Sequence, residues 1–234
     1  MRSLLAFLAA VTFALGAPAA AHAAEPAAPP AADCADGDDA CPKPTIELGA
    51  RVGYAAPIGS AFDGSKLGAI VDGQVPLWID AGLRLDPHWY VGAYGQIGYL
   101  LPADGVCPPG ASCSGTDVKV GLQAHYRFLP QDRLDPWIGV GAGYEWMHVS
   151  ESLGDRSVGA TLHGFELFNV QAGADYRVCK GFSAGPFAAL SFGEFRTESL
   201  TASVGSEQAD RSSAIDKQAV HEWLTLGLRG RFDL

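Results

Sequence analysis

The sequence predicts an all-β fold, an eight-stranded antiparallel up-and-down transmembrane β-barrel over residues 45–234. Three observations predict it. Eight segments alternate apolar and polar residues with period two, the pattern of strands that have one apolar face. The links between these segments alternate short and long. Aromatic residues gather at both ends of the apolar register, as two interfacial belts require.

An export signal precedes that region. Met1-Arg2-Ser3 is basic, residues 4–21 are apolar apart from breaks at Gly16 and Pro18, and Ala21-His22-Ala23 forms an A-x-A cleavage site. Residues 1–23 therefore read as a secretory signal peptide. The breaks at Gly16 and Pro18 argue against a membrane anchor. Residues 24–44, rich in Ala, Pro and Asp, read as a periplasmic linker. Export places the cysteines in an oxidising compartment. Cys34 with Cys41, and Cys107 with Cys113, are local pairs that read as disulfides there. Cys179 is left as a free thiol or an intermolecular link. No C-x-x-C or H-x-x-x-H pairing points to zinc, and Asp33, Asp36, Asp38 and Asp39 lack EF-hand spacing. No metal and no cofactor is expected.

The first strand segment, 45–54, sets Ile46, Leu48, Ala50, Val52 and Tyr54 against Glu47, Gly49, Arg51 and Gly53. The second, 75–85, sets Val75, Leu77, Ile79 and Leu83 against Trp78, Asp80 and Arg84. The third, 91–99, is noisier, with Val91, Ala93, Ile97 and Tyr99 on its apolar side. The fourth, 118–128, and the sixth, 168–177, alternate cleanly. The fifth, 138–146, opposes Ile138, Val140, Ala142, Tyr144 and Trp146 to glycines and Glu145. The seventh, 182–192, contains Pro186, which cannot donate to a ladder and so predicts a bulge. The eighth, 224–234, carries Leu224, Leu226, Leu228 and Phe232 on one face. Each segment has about the 9–11 residues that a tilted membrane-crossing strand needs.

Short links are expected at 86–88, 129–136 and 179–181, and long ones at 55–74, 100–117, 148–167 and 194–220. Short turns belong to the periplasmic end and long loops to the outside. Trp89, Tyr126, Phe128, Trp137, Tyr176, Phe182 and Phe232 mark the short-turn end, and Tyr54, Tyr99, Tyr144, Trp146 and Phe192 the other.

The polar register combines glycine with charges of both signs: Glu47, Arg51, Asp80, Arg84, Lys119, Arg127, Glu145, Asp175, Arg177, Arg229 and Arg231. Unpaired buried charge is costly, so these residues are expected to pair inside the lumen. Eight strands enclose a space just wide enough for side chains, which argues against a large pore. Trp78 and Trp223 also fall on the polar register. They read as interior filling, or as the lining of a narrow apolar channel. A soluble eight-stranded barrel alternates too, with its apolar face inward. The asymmetric links and the glycine-rich polar face favour the membrane.

Composition narrows the function classes. With 48% hydrophobic and 18% charged residues the chain is too apolar for disorder, and a net charge of −10 speaks against nucleic acid. The signal peptide, the alternating segments and the run Leu224-x-Leu226-x-Leu228-x-Gly230-x-Phe232-x-Leu234 resemble the small outer-membrane β-barrel family, the OmpA-transmembrane-domain and OmpX-like group. The resemblance covers residues 45–234. Here the final residue is Leu234 and the aromatic lies two before it. The resemblance implies integral residence in a bacterial outer membrane with a periplasmic N-terminus. It also implies contact with outer-membrane lipids and lipopolysaccharide, and insertion by the barrel-assembly machinery. It implies a structural or surface-interaction role through the long loops, whose ligand the sequence does not name.

His148-Val149-Ser150 resembles the H-x-S pair of the outer-membrane lipid A 3-O-deacylase, itself an eight-stranded barrel. In that reading His148 activates the Ser150 hydroxyl and Glu151 or Glu166 orients the imidazole. Glu151 stands where the family has Asn. A lipid A hydrolase and a narrow small-solute channel are thus the alternatives to a non-enzymatic surface role.

Overall fold

The computed structural model describes residues 44–62 and 64–234. The signal peptide and the linker expected from the sequence lie outside the described residues. So do Cys34 and Cys41, and with them the first of the two expected disulfides. The second falls within the described residues, where Cys107 is bonded to Cys113.

Eight long strands make up the wall: β1 (Thr45–Phe62), β2 (Val71–Arg84), β3 (Trp89–Pro102), β4 (Ser112–Arg127), β5 (Leu134–Leu153), β6 (Arg156–Cys179), β7 (Phe182–Val204) and β8 (Val220–Asp233). Each pairs antiparallel with its sequence neighbours. β8 also pairs with β1, from Glu47↔Asp233 to Gly59↔His221, and so closes the ring. Closure is what lipid demands, because a sheet edge there would leave backbone groups without partners. Two short pieces attach outside the ring. Ser65–Lys66 pairs with β1, and Glu207–Ala214 pairs with β7.

The period-two pattern becomes an inside-out distribution. Leu122 is 71% exposed, Leu228 64% and Ile79 63%, while Glu47, Arg51 and Arg229 are at most 1% exposed. A continuous apolar outer surface of this kind marks a face built for lipid rather than water. Trp89, Tyr176 and Phe232 stand at its short-turn edge, and Tyr54, Tyr99 and Trp146 at the other. Trp137 does not join the first belt. It lies one residue out of the Ile138 register, so it points inward and is buried.

Two of the expected long loops are largely strand. β5 and β6 continue through 148–167 as a hairpin with a tight turn at Gly154 (φ +59°), a left-handed conformation that glycine adopts without strain. β7 likewise runs on to Val204, turns, and returns as Glu207–Ala214. The sequence pattern misleads there because serine and threonine replace the apolar residues once the strands leave the belt. The remaining outer connections are shorter than expected: 63–70, 103–111 and 215–219.

Pro186 does not create a bulge. It faces Leu228 in unbroken register with β8, and on the β6 side the register is the same before it (Tyr176↔Ala184) and after it (Gly173↔Phe187). The proline omits its own ladder bond and leaves the frame intact. The shifts lie elsewhere. Leu167 is an extra residue on β6 against both neighbours, and Arg196 is one on β7. Each bulge reverses which residues of its strand face out.

Candidate functional site

The lumen is organised in tiers. At the short-turn end, Glu47 on β1 accepts bonds from three arginines on different strands: Arg127 at 2.7 Å, Arg229 at 3.0 Å and Arg84 at 3.1 Å. Asp175 faces Arg229 at 3.4 Å and Arg231 at 3.5 Å, and it accepts a bond from the Trp137 indole at 3.1 Å. Asp135 lies 3.5 Å from Arg127 and 3.6 Å from Arg231, and Asp233 pairs with Arg84. The strand parity that puts these residues inside also puts opposite charges on adjacent strands.

In the middle tier Arg51 meets Asp80 at 2.6 Å and donates to Gln171 at 2.5 Å and Gln123 at 3.1 Å. Its guanidinium sits 5.0 Å from the Trp78 ring and 5.7 Å from Phe187, two rings that pack against each other and offer the cation their π faces. Glu166 accepts bonds from Tyr94 and from Ser191, the latter at 2.6 Å. In the outer tier Lys119 lies 3.4 Å from Glu145 and 3.8 Å from Asp117. Glu145 also meets His221 at 2.9 Å and the Trp223 indole at 3.2 Å, and Gln74 donates to Asp117 at 3.0 Å.

An apolar cap follows. Leu67, Val71, Leu100, Met147, Leu162, Phe195 and Trp223 pack together over the outer tier. None of these was singled out from the sequence except Trp223. The usable signal was that the alternation of β5 continues past Trp146, through Met147 and Val149. Above the cap, an apolar cavity of about 180 Å³ opens between Ile70, Leu100, Pro102, Val106, Val149 and Val158. Cys113 lines it, and its bond to Cys107 spans a Cα–Cα distance of 5.8 Å.

Beyond the outer belt, the outer ends of β4, β5, β6 and β7 and the strand Glu207–Ala214 continue as a sheet that protrudes above the ring. Among the described residues its last strand pairs with β7 alone, and all eight of its residues are exposed.

Several sequence-based site residues are not brought together. His148 and Ser150 share the outward face of β5, but Nδ1 of His148 bonds the Thr161 hydroxyl at 2.9 Å. Ser150 bonds Ser114 at 2.9 Å. Glu166 is buried on the lumen side, held by Tyr94 and Ser191. Among the described residues no carboxylate hydrogen-bonds His148. Arg177 keeps the inward parity but lies past the end of the packed lumen, bonding the backbone carbonyls of Pro130 at 2.8 Å and Gln131 at 3.3 Å. Cys179 is a free, exposed thiol at the turn between β6 and β7. No His/Cys/Asp/Glu cluster suited to a metal occurs among the described residues.

No family profile and no curated protein sequence matches the chain. Solved structures do. A major outer membrane protein of Thermus thermophilus is 12% identical, with a TM-score of 0.53 over 82% of this chain and 99% of that one. Neisserial surface protein A is 14% identical, with a TM-score of 0.48 over 82% and 97%. OprG of Pseudomonas aeruginosa is 14% identical, with a TM-score of 0.44 over 80% and 96%. At these identities likeness speaks to fold alone. The closed ring of eight strands, its apolar outer belt and the likeness to the Thermus protein together show that this chain has the fold of an outer-membrane β-barrel.

Proposed function

We propose that the chain is an integral bacterial outer-membrane protein with a closed lumen, acting at the cell surface through the sheet that stands beyond its outer belt. The observation that carries this reading is the pairing of a filled interior with a protruding sheet whose last strand, Glu207–Ala214, is exposed throughout. The short turns, with Cys179, face the periplasm, and the hairpin tips at Gly154 and Gly205 face outward. Buried ion pairs and the apolar cap occupy the path that a solute would take, which supports an interaction role over a conduit. A free strand edge offers unpaired backbone N–H and C=O groups to a partner, a recurring mode of protein recognition. Assembly by the barrel-assembly machinery belongs to the same reading.

Two measurements on one preparation test it. A Ser206→Cys variant is expected to react with a membrane-impermeant maleimide on intact cells, while Cys179 reacts only after the outer membrane is opened. The reconstituted wild type is expected to be silent in planar bilayers. Labelling of Cys179 from outside would invert the topology, and discrete conductance steps would overturn the closed lumen.

A further inference from the structure

Above the packed cap the strands change the size of their inward side chains. The row that crosses β4, β5 and β6 at the cap is Asp117, Met147 and Leu162, and its two apolar members are 1% and 4% exposed. The next row outward is Gly115, Val149 and Ala160, and the one after it is Cys113, Glu151 and Val158. Side chains on a strand return to the same face every second residue, so all three rows face inward. The wall thus steps from large side chains to small ones where the ring opens, and the apolar cavity above the cap begins there.

The opposite wall comes from β2, β3 and the connection 103–111. Val71 and Leu100 are buried, and Ile70, Pro102 and Val106 complete it. Leu100 comes close to the strands facing it, since a Cβ on Gly115 would stand 2.8 Å from its Cδ1. The connection is tied down on both sides. The Ala103 N–H donates to the Ile70 carbonyl at 3.1 Å, and the Val106 N–H to the Ala103 carbonyl at 3.1 Å. The Cys107–Cys113 bond fastens it to β4. These ties hold the walls apart before any ligand arrives, the preorganisation on which small-molecule sites depend.

The space between the walls is about 180 Å³. An aliphatic cavity of about 150 Å³ stays dry and admits benzene. The size here therefore suits one aromatic ring. The cavity lies on the lumen side of its strands, so acyl chains packed around the barrel do not reach it. Beneath it the cap and the Lys119–Glu145 pair close the way down. It is a pocket with one mouth, not a stretch of channel.

A single charged side chain lines this pocket. Glu151 is half-buried and, among the described residues, forms no ion pair and no side-chain hydrogen bond. Arg156, Glu198, Glu207 and Arg211 share its face of the protruding sheet, but they stand in farther rows or on farther strands and none lines the cavity. An ionised carboxylate only accepts hydrogen bonds. Beside an apolar pocket it favours a ligand that carries a donor and a positive charge, and it repels one that carries a carboxylate.

We propose that the pocket binds a monocyclic aromatic amine, with the ring between Leu100, Val149 and Ala160 and the ammonium at Glu151. The site is separate from the exposed strand Glu207–Ala214, and binding there stands or falls apart from the role proposed for that edge. The protein is refolded in phosphatidylcholine vesicles and titrated with 4-fluorobenzylamine, observed by fluorine NMR, with empty vesicles as the blank. Saturable line broadening beyond the blank is expected. Val149→Phe fills the space and is expected to weaken binding about tenfold or more. Glu151→Gln keeps the shape, removes the charge and is expected to weaken binding about fivefold. The wild type is expected to show no saturable binding of 4-fluorobenzoate.

Broadening no greater than that of empty vesicles overturns the proposal. So does a Val149→Phe variant that binds as the wild type does, which would place the amine elsewhere on the barrel. 4-Fluorobenzoate bound as tightly as the amine, or Glu151→Gln binding unchanged, removes Glu151 from the site and overturns the commitment to an amine. Should Val149→Phe fail to insert, as judged by gel mobility before and after boiling, Ala160→Leu fills the same space and carries the same comparison.

Discussion

Glu47 is the residue on which the short-turn end of the lumen converges, because one buried carboxylate holds Arg84, Arg127 and Arg229 together. Removing it leaves three guanidinium groups without their common partner. Glu47→Ala is expected to lower unfolding stability by about 3–5 kcal/mol, measured by urea titration in vesicles, the cost of stranding buried charge. An unchanged midpoint would mean that the remaining acids compensate. Which residues face the lumen was legible from parity alone: Arg51, Asp80, Lys119 and Glu145 follow from the period of two. Who pairs with whom was not, since Glu47 and Arg229 are 182 residues apart and meet only because the ring closes in one register. Parity also gave the right side for Trp137, one residue off the Ile138 register. Assigning it to the belt followed its place near a strand end instead, and the structure buries it against the His125 ring.

For the strands, the same chemistry has opposite effects at different heights. Leu226 on β8 lies at mid-strand on the lipid face, 59% exposed, between Tyr54 and Ala188. Leu226→Arg is expected to cost about 2–4 kcal/mol, as a cation at the bilayer midplane does. Ser152→Arg, on the protruding part of β5, should fall within about 0.5 kcal/mol of wild type, as surface changes do. Equal costs at the two sites would deny the belt its lipid setting. The existence of the membrane-crossing segments was legible because lipid enforces alternation. Their extensions were not, because outside the belt a strand no longer needs an apolar side and Ser/Thr-rich sequence reads as loop. The bulges at Leu167 and Arg196 were likewise hidden. They show only as a change in which residues face out, and Pro186, the visible irregularity, left the register intact.

Across the whole molecule, three layers divide the work. The outer belt faces lipid, the tiered ion pairs and the apolar cap fill the lumen, and the protruding sheet extends above the belt. Each depends on the one before it, since a ring that did not close would neither bury Glu47 nor hold β5 to β7 above the belt. Fold likeness at 12% identity supports the first layer and is silent on the third. The central claim is therefore the closed ring in its membrane, and gel mobility tests it most directly. The outer-membrane fraction is run in SDS unheated and after boiling. A compact, faster species that converts on boiling to the mobility of the unfolded chain is the expected result. A protein recovered in the soluble periplasmic fraction with one mobility under both conditions would contradict it, and the alternation would then belong to a barrel with its apolar face inward.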